Sequence, residues 1–245
     1  MLPKLEGTIA RRVLLNFWVD PDVARALVPE PLEPSTQSGY AVAGICLIRL
    51  EQLRPKGAPA RLGVSSENMA HRIAIRYPTE DGPQDGVFIW RRDTDRAIVA
   101  LLGGRLFPGV HGHAGFDVSE GPHRLRYRIR TDEDGAHVAL AVTVVDAWQP
   151  TELFPTFDDI VRFFERGDCG FSCSLRGDRL EGMRLRSLTW QMIPLAVQDV
   201  ESTFYDATDR FPAGSIGLDG AVLMRGVPHE WHGLNDVPEL AGTWG

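Results

Sequence analysis

The feature of this sequence that most constrains its fold is a set of short segments in which apolar and polar residues alternate. The clearest is RLRYRIR at residues 124–130, where Leu125, Tyr127 and Ile129 alternate with four arginines. Because successive side chains of a β-strand point to opposite faces, this period of two predicts a half-buried strand. The turn DEDG and the apolar run AHVALAVTVV follow at residues 132–145 and complete a predicted hairpin.

Similar segments, separated by Gly, Pro and Asp, recur along the chain and predict mostly antiparallel β-structure. Further strands are predicted at residues 13–18, 40–50, 68–77 and 86–90, and a second hairpin at residues 171–188. Few helices are predicted: one capped by Asp20 with Pro21 at its first position, one that carries residues 97–102, and one at residues 156–166. Many strands with a few covering helices indicate a mainly β (α+β) fold with a closed or strongly curved sheet.

The 245 residues contain no repeat, linker or shift in composition, so we expect a single domain over residues 1–245. The formal net charge of −7 argues against nucleic acid as a partner, since phosphate binding requires a basic surface. No apolar run approaches the ~20 residues of a membrane span, and the three cysteines form no disulfide framework. We therefore expect a cytoplasmic protein without a membrane partner, and a homo-oligomer is compatible with the sequence.

Two histidines, His111 and His113, lie one residue apart in the glycine-rich segment RLFPGVHGHAG at residues 105–115. On an extended strand both imidazoles would point to the same side, as metal chelation requires. With Gly104 before them and Asp117 after them they loosely resemble the metal motif of the cupins, although Asp117 replaces a glutamate and no second motif supplies the last histidine. The alternative is acid–base chemistry, because imidazole titrates near physiological pH.

A longer resemblance runs through most of the chain. The segments LLNFWVDPDVARALVPEPLEP (residues 14–34), ENMAHRIAIRY (67–77) and GVFIWRRDTDRAIVALLGGRLFPGVHGHA (86–114) resemble, in order and spacing, segments of the acetoacetate decarboxylase-like superfamily. Residues 159–195 are similar to the uncharacterised YqjF-like branch of that superfamily. The resemblance implies a cone-shaped antiparallel β-barrel with a few covering helices, in agreement with the strands predicted above.

The resemblance implies a small-molecule site but not the chemistry of the decarboxylases. Those enzymes use a lysine that forms a Schiff base with a keto acid. In this chain the corresponding position falls at about residues 110–113, where no lysine occurs, and the only lysines are Lys4 and Lys56. Imidazole forms no stable imine with a ketone, so we expect no acetoacetate decarboxylation by that mechanism.

The resemblance also implies which residues form the site. The predicted catalytic residues are His111, His113 and Glu67, the last in the segment where the family places an active-site glutamate. The predicted substrate-binding residues, which would hold a carboxylate or enolate oxygen or line the pocket, are Arg11, Arg12, Arg105 and Trp90. We expect Glu67, Trp90, Arg105 and one of the histidines to converge on one cavity, and one of Arg11 and Arg12 to point outward.

Three interpretations stay open on the sequence. The first is a small-molecule pocket protein that acts as an enzyme, through non-covalent acid–base chemistry on a keto- or carboxylate-bearing metabolite. The second is a non-catalytic barrel that binds an apolar or acidic ligand. The third is a cupin-like, metal-dependent enzyme that uses His111 and His113. Outside this third interpretation we expect no metal and no other cofactor.

Overall fold

The computed structural model describes residues 4–102, 108–187, 189–234, 237–240 and 242. Within these residues thirteen strands join in one sheet, accompanied by three short α-helices. The strands are β1 (Leu5–Val19), β2 (Glu33–Pro34), β3 (Thr36–Gln37), β4 (Tyr40–Pro55), β5 (Val64–Tyr77), β6 (Gln84–Thr94), β7 (His111–Glu120), β8 (Arg124–Thr131), β9 (His137–Val144), β10 (Cys169–Cys173), β11 (Leu180–Ser187), β12 (Ile193–Ser202) and β13 (Ile216–Gly233). The helices are α1 (Pro21–Ala26), α2 (Ala97–Leu102) and α3 (Phe157–Arg166).

The sheet closes on itself in two rings. One ring runs β6–β7–β8–β9–β12–β13–β1–β4–β5 and returns to β6, and the other runs from β6 through β10 and β11 to β13. Strands β13, β1, β4, β5 and β6 therefore form a wall that both rings share. Most pairings are antiparallel, but β6 pairs in parallel with both β7 and β10. The sheet is thus mainly antiparallel and closed, although it is not one even barrel.

The shared wall carries apolar side chains on both faces because each face is covered. In β4 a nearly continuous run of residues is buried. Ile45 and Leu47 belong to one core, together with residues of β8 and β9, whereas Cys46 and Ile48 belong to a second core that includes α3. A strand that is buried on both faces has a continuous apolar sequence. This explains why β4 does not alternate as β8 does.

Local sequence signals account for the ends of the helices. The side chain of Asp20 accepts hydrogen bonds from the first turn of α1, and Pro21 occupies the first helical position. Thr156 and Asp159 form a capping box at the start of α3. Helix α3 then buries Phe164 in the second core, so its apolar face closes one side of the wall.

The predicted elements are confirmed in type and place. The segment RLRYRIR forms β8, in which Leu125, Tyr127 and Ile129 are buried and the arginines are exposed. The other predicted strands lie within β1, β4, β5 and β6, the second hairpin is formed by β10 and β11, and the predicted helices are α1, α2 and α3. Among the described residues, no helix is long and apolar enough to cross a membrane.

Candidate functional site

A cavity of about 370 Å³ lies between the shared wall and strands β10 and β11. This volume is within the range of small-molecule sites, about 300 to 1,000 Å³. Most of its lining is apolar and includes Ile48, Leu50, Val87, Ile89, Met183 and Leu185. Three arginines from three wall strands line it, Arg12 from β1, Arg72 from β5 and Arg92 from β6; a fourth, Arg54 of β4, is paired with Glu6 at 2.8 Å. We call it the arginine cavity.

Arg72 is the most buried of the three, with 2 % of its surface exposed. Its Nη2 donates to Asn16 Oδ1 at 3.0 Å, and its guanidinium carbon lies 4.8 Å from the centre of the Phe164 ring. Its Nε and Nη1 are buried and have no hydrogen-bond partner. Burial, reinforced by the charge of Arg12, lowers the pKa of Arg72 to about 10. A buried cation with two unpaired donors is costly unless an anion joins it.

Arg12 and Arg92 extend this positive surface. Arg12 Nε donates to Cys46 Sγ at 3.3 Å, while Arg12 Nη1 is buried without a partner. Arg92 Nη1 donates to the carbonyl oxygen of Pro108 at 2.8 Å and to Ser172 Oγ. Burial lowers the pKa of Arg92 to about 10. None of these described contacts of Arg12, Arg72 and Arg92 is made with a carboxylate.

Two carboxylates do lie at the edge of the arginine cavity, but each is paired with an arginine outside this set. Asp93 accepts from Arg91 Nε at 2.9 Å, and Asp168 lies 3.4 Å from Arg184 Nε. None of the described lining residues therefore neutralises the charge of Arg12, Arg72 and Arg92. An anionic ligand would supply the missing acceptors.

His111 reaches the arginine cavity at the start of β7. In the parallel pairing of β6 and β7 it stands beside Arg92, and its Nδ1 lies 3.2 Å from the carbonyl oxygen of Gly109. Burial and the charge of Arg92 lower the pKa of His111 to about 4. At neutral pH the imidazole is therefore uncharged and can exchange a proton with a ligand.

His113 is on the same strand as His111 but in a different environment. Its side chain is 40 % exposed, and its Nδ1 lies 2.7 Å from Asp132 Oδ2. The hydrogen bond with that carboxylate raises the pKa of His113. His113 is not among the described residues that line the arginine cavity. The two histidines alternate with Gly112 on β7 as predicted, but the His111 imidazole is partly buried at the arginine cavity whereas the His113 imidazole is more exposed.

Glu67 and Arg11 lie together on the opposite face of the wall. Both carboxylate oxygens of Glu67 accept from Arg11 Nη2 at 2.7 Å, and Arg49 Nη1 donates to Oε1 at 3.1 Å. Arg11 also donates to the hydroxyl of Tyr127 at 2.9 Å and to Glu120 at 2.9 Å. The expectation that one of Arg11 and Arg12 points outward is therefore wrong. They face opposite ways, but both faces of β1 are covered.

Trp90 lines a second groove of about 730 Å³, which shares Met69 and Arg92 with the arginine cavity and which we call the Trp90 groove. Its indole N–H donates to the carbonyl oxygen of Leu27 at 2.7 Å, and its neighbours include His71 and Phe204. Arg105 lies outside the described residues. Of the predicted set, the structure thus brings His111 and Arg12 to one cavity. It places Glu67, Arg11 and Trp90 elsewhere among the described residues.

Arg72, Arg92 and Cys46 line the cavity but are not among the residues predicted from the sequence. A signal for Arg72 exists, because Ala70 and Ala74 flank it on the same strand face and a lone arginine between small apolar residues is unusual. Cys46 is hidden in the apolar run of β4, where both faces are buried. Arg92 follows a β-bulge, so simple alternation misplaces it.

The described parts of the chain contain no group of three or more His, Cys, Asp or Glu side chains able to hold a metal ion. Nothing in them therefore supports the cupin-like alternative. The two lysines are both exposed, and Lys56 Nζ pairs with Glu230 Oε1 at 2.7 Å. Neither is among the described lining residues of the arginine cavity.

Comparison with known proteins agrees with this architecture. Residues 7–213 match the DUF2071 family, which is described as an uncharacterized conserved protein. No curated protein matches the chain in sequence.

Several solved structures share the fold at low sequence identity. An acetoacetate decarboxylase-like enzyme from Sphingomonas wittichii RW1 is 14 % identical, with a TM-score of 0.60 over 95 % of this chain and 91 % of that one. The enduracididine biosynthesis enzyme MppR, complexed with pyruvate, is 15 % identical, with a TM-score of 0.57 over 95 % and 90 %. Acetoacetate decarboxylase from Legionella pneumophila is 11 % identical, with a TM-score of 0.59 over 99 % and 87 %.

These likenesses confirm the predicted fold class, since they extend over nearly the whole chain and over most of each relative. They show the fold alone, because the identities are low. The family match spans most of the sequence and carries the assignment. The chain belongs to the DUF2071 family and has the acetoacetate decarboxylase-like fold.

Proposed function

We propose that the arginine cavity binds a small metabolite with a carboxylate at one end and an apolar part at the other. The observation that carries the proposal is the set of buried, unpaired guanidinium nitrogens, Nη1 of Arg12 with Nε and Nη1 of Arg72. An unpaired buried donor costs free energy that a carboxylate acceptor recovers. The surrounding apolar lining would accommodate the rest of the ligand.

The binding mode follows from where the charges lie. Arg12 and Arg72 come from β1 and β5, the two strands that flank β4, so their guanidinium groups can hold one carboxylate between them. The apolar part of the ligand would then lie against Ile48 and Leu185. Such an arrangement favours a monocarboxylate over its uncharged amide, which offers no negative charge to the arginines.

We further propose that the protein acts on a keto acid by non-covalent acid–base chemistry. His111 would accept the proton from the carbon next to the carbonyl, because its imidazole is uncharged at neutral pH and a carboxylate bound nearby would raise its pKa from about 4 towards neutrality. Arg92, its neighbour on β6, would stabilise the enolate oxygen that develops. Glu67 and His113 lie outside this cavity. We propose that Glu67 holds Arg11 in place within the wall and that His113 lies exposed on β7, away from the reacting atoms.

A Schiff base does not enter this mechanism, since neither Lys4 nor Lys56 is among the described residues that line the cavity. The structural relative MppR is complexed with pyruvate. This makes small 2-oxo acids the natural probes here. We use 2-oxobutyrate, which has both an apolar methyl end and exchangeable protons next to its carbonyl.

Isothermal titration calorimetry with 2-oxobutyrate tests the binding step. We expect the wild type to bind and Arg72→Met to weaken binding about 10- to 100-fold, the effect of losing hydrogen bonds to a charged group. Arg76→Met is the matched control, because Arg76 lies on the same strand but is exposed. Equal affinities in the wild type and Arg72→Met would contradict the proposal.

Deuterium exchange tests the chemical step. In D₂O, proton NMR should follow loss of the protons at C3 of 2-oxobutyrate in the presence of the wild type, and His111→Gln should reduce the rate about 100-fold or more, the usual contribution of a general base. Binding without enzyme-dependent exchange would instead identify a non-catalytic ligand-binding protein.

A further inference from the structure

Cys46 lies at the centre of the charged part of the arginine cavity. On β4 it stands between Leu14 of β1 and Ala70 of β5 in the register of the sheet. Its diagonal neighbours on those strands are Arg12 and Arg72, and diagonal neighbours are within reach of long side chains. Arg12 Nε donates to Cys46 Sγ at 3.3 Å. The thiol is 7 % exposed and belongs to the lining of the cavity.

A second observation points to a ligand beside this sulfur. Arg72 is almost wholly buried in the same cavity and keeps Nε and Nη1 unpaired. A carboxylate held by Arg12 and Arg72 would therefore lie next to Cys46, because these two arginines flank it. The atom that follows a carboxylate in a 2-oxo acid is a carbonyl carbon, which is the atom that a thiol attacks.

The other two cysteines are not among the described residues that line the cavity, and the arginine beside Cys169, Arg184, is paired with Asp168. Cys169 Sγ is engaged by Tyr77 at 3.4 Å and Arg184 at 3.1 Å, and burial raises its pKa. Burial raises the pKa of Cys173 to about 11, and Cys173 is not among the described residues that line the cavity. Cys169 and Cys173 are thus internal controls for any reaction assigned to Cys46.

We propose that Cys46 is a nucleophile of the arginine cavity, which adds reversibly to the carbonyl carbon of a bound 2-oxo acid. The inference rests on the proposed carboxylate binding and not on the proposed acid–base step; the adduct would form reversibly, in competition with removal of a proton from the neighbouring carbon. A bond forms between Sγ and the carbonyl carbon, the π bond of the carbonyl breaks, and the thiol proton passes to the carbonyl oxygen. The product is a thiohemiacetal or thiohemiketal, and no oxidant, reductant or cofactor is consumed.

Alkylation of the folded wild type tests the reactivity of Cys46. Mass spectrometry should follow modification of each cysteine by iodoacetate, which carries a carboxylate, and by neutral iodoacetamide. We expect the iodoacetate-to-iodoacetamide rate ratio at Cys46 to exceed that at Cys173 about 10-fold or more, because the positive cavity concentrates anions. Equal ratios at the two cysteines, or slower iodoacetate labelling at Cys46, would overturn the assignment.

Ligand affinity tests the covalent step. Glyoxylate has an aldehyde next to its carboxylate, whereas glycolate has a hydroxyl group there and cannot form the adduct. In the wild type we expect glyoxylate to bind about 10-fold more tightly than glycolate, and in Cys46→Ala we expect the two affinities to become equal. Carbon-13 NMR of labelled glyoxylate should show a sulfur-bound tetrahedral carbon only when Cys46 is present.

The results separate this inference from the proposed function. Equal affinities of glyoxylate and glycolate in the wild type, or a preference for glyoxylate that survives in Cys46→Ala, overturn the covalent step. If glycolate still binds through Arg72, the proposed function stands without it. If neither acid binds the folded wild type, the proposed function fails as well. Cys46→Ser provides a second variant close to cysteine in size, and the alkylation experiment needs no variant.

Discussion

Replacing Arg72 with methionine should weaken ligand binding while leaving the free energy of unfolding nearly unchanged. The buried guanidinium keeps two nitrogens unpaired. Its pKa of about 10, against an ordinary value of about 12.5, corresponds to about 3 kcal/mol that disfavours the cation in the folded protein. Methionine removes this cost and fills much of the same apolar space. It also removes the hydrogen bond to Asn16, about 1.5 to 3 kcal/mol, and the contact with Phe164, about 1 to 2 kcal/mol.

These contributions nearly cancel, so we expect the free energy of unfolding of Arg72→Met to differ from that of the wild type by less than about 2 kcal/mol. Affinity for 2-oxobutyrate should fall about 10- to 100-fold in the same variant. Urea denaturation measures the first quantity and calorimetry the second. The exposed control Arg76→Met should change neither. A loss of more than about 3 kcal/mol of stability, the cost of breaking a structural buried pair, with unchanged affinity would refute this reasoning.

Three further outcomes are expected. Glu67→Gln should destabilise the protein by about 3 to 5 kcal/mol, because it leaves the buried Arg11 without its main counter-ion. In urea denaturation the more exposed Glu120→Gln should cost less than about 1 kcal/mol, and equal costs would contradict the ranking. Burial lowers the pKa of His71 to about 3. As the pH falls from about 6.5 towards 4, His71 therefore becomes protonated in the unfolded chain but stays neutral in the folded protein. Stability should therefore decrease over that window, and less steeply in His71→Phe; parallel curves would contradict this. NMR should show the His111 imidazole uncharged down to about pH 5, and titration near 6.5 would place it in solvent rather than in the cavity.

Local sequence patterns were sufficient to predict most of the fold. Strand β8 was predicted from strict alternation and α1 from its Asp20 cap, since these signals depend on near neighbours in sequence. The long strands β1 and β4 extend beyond the predicted residues 13–18 and 40–50, because their other ends, residues 5–12 and 51–55, contain polar and partly exposed residues that no apolar run marks as strand. That the sheet closes in two rings depends on contacts between distant strands, which no local pattern reveals.

The candidate site was harder to predict for the same reason. The alternation of side chains along a strand predicts that Arg11 and Arg12 face opposite ways. Only the packing shows that Arg12 enters the cavity and that Arg11 pairs with Glu67. In the pairing of β5 with β6, Trp90 is the extra residue of a bulge between partners of His71 and Arg72. The bulge reverses the alternation in β6 and brings Arg92, rather than Arg91, to the cavity.

A crystal structure of the protein soaked with 4-bromobenzoate tests the central claim most directly, because the anomalous signal of bromine locates this apolar carboxylate without ambiguity. We expect one site, with the carboxylate oxygens about 2.7 to 3.0 Å from Arg12 Nη1 and Arg72 Nη1 and the bromine against Ile48 and Leu185. Bromine in the Trp90 groove instead, or a carboxylate that points away from both arginines, would contradict the assignment of the arginine cavity as the ligand site.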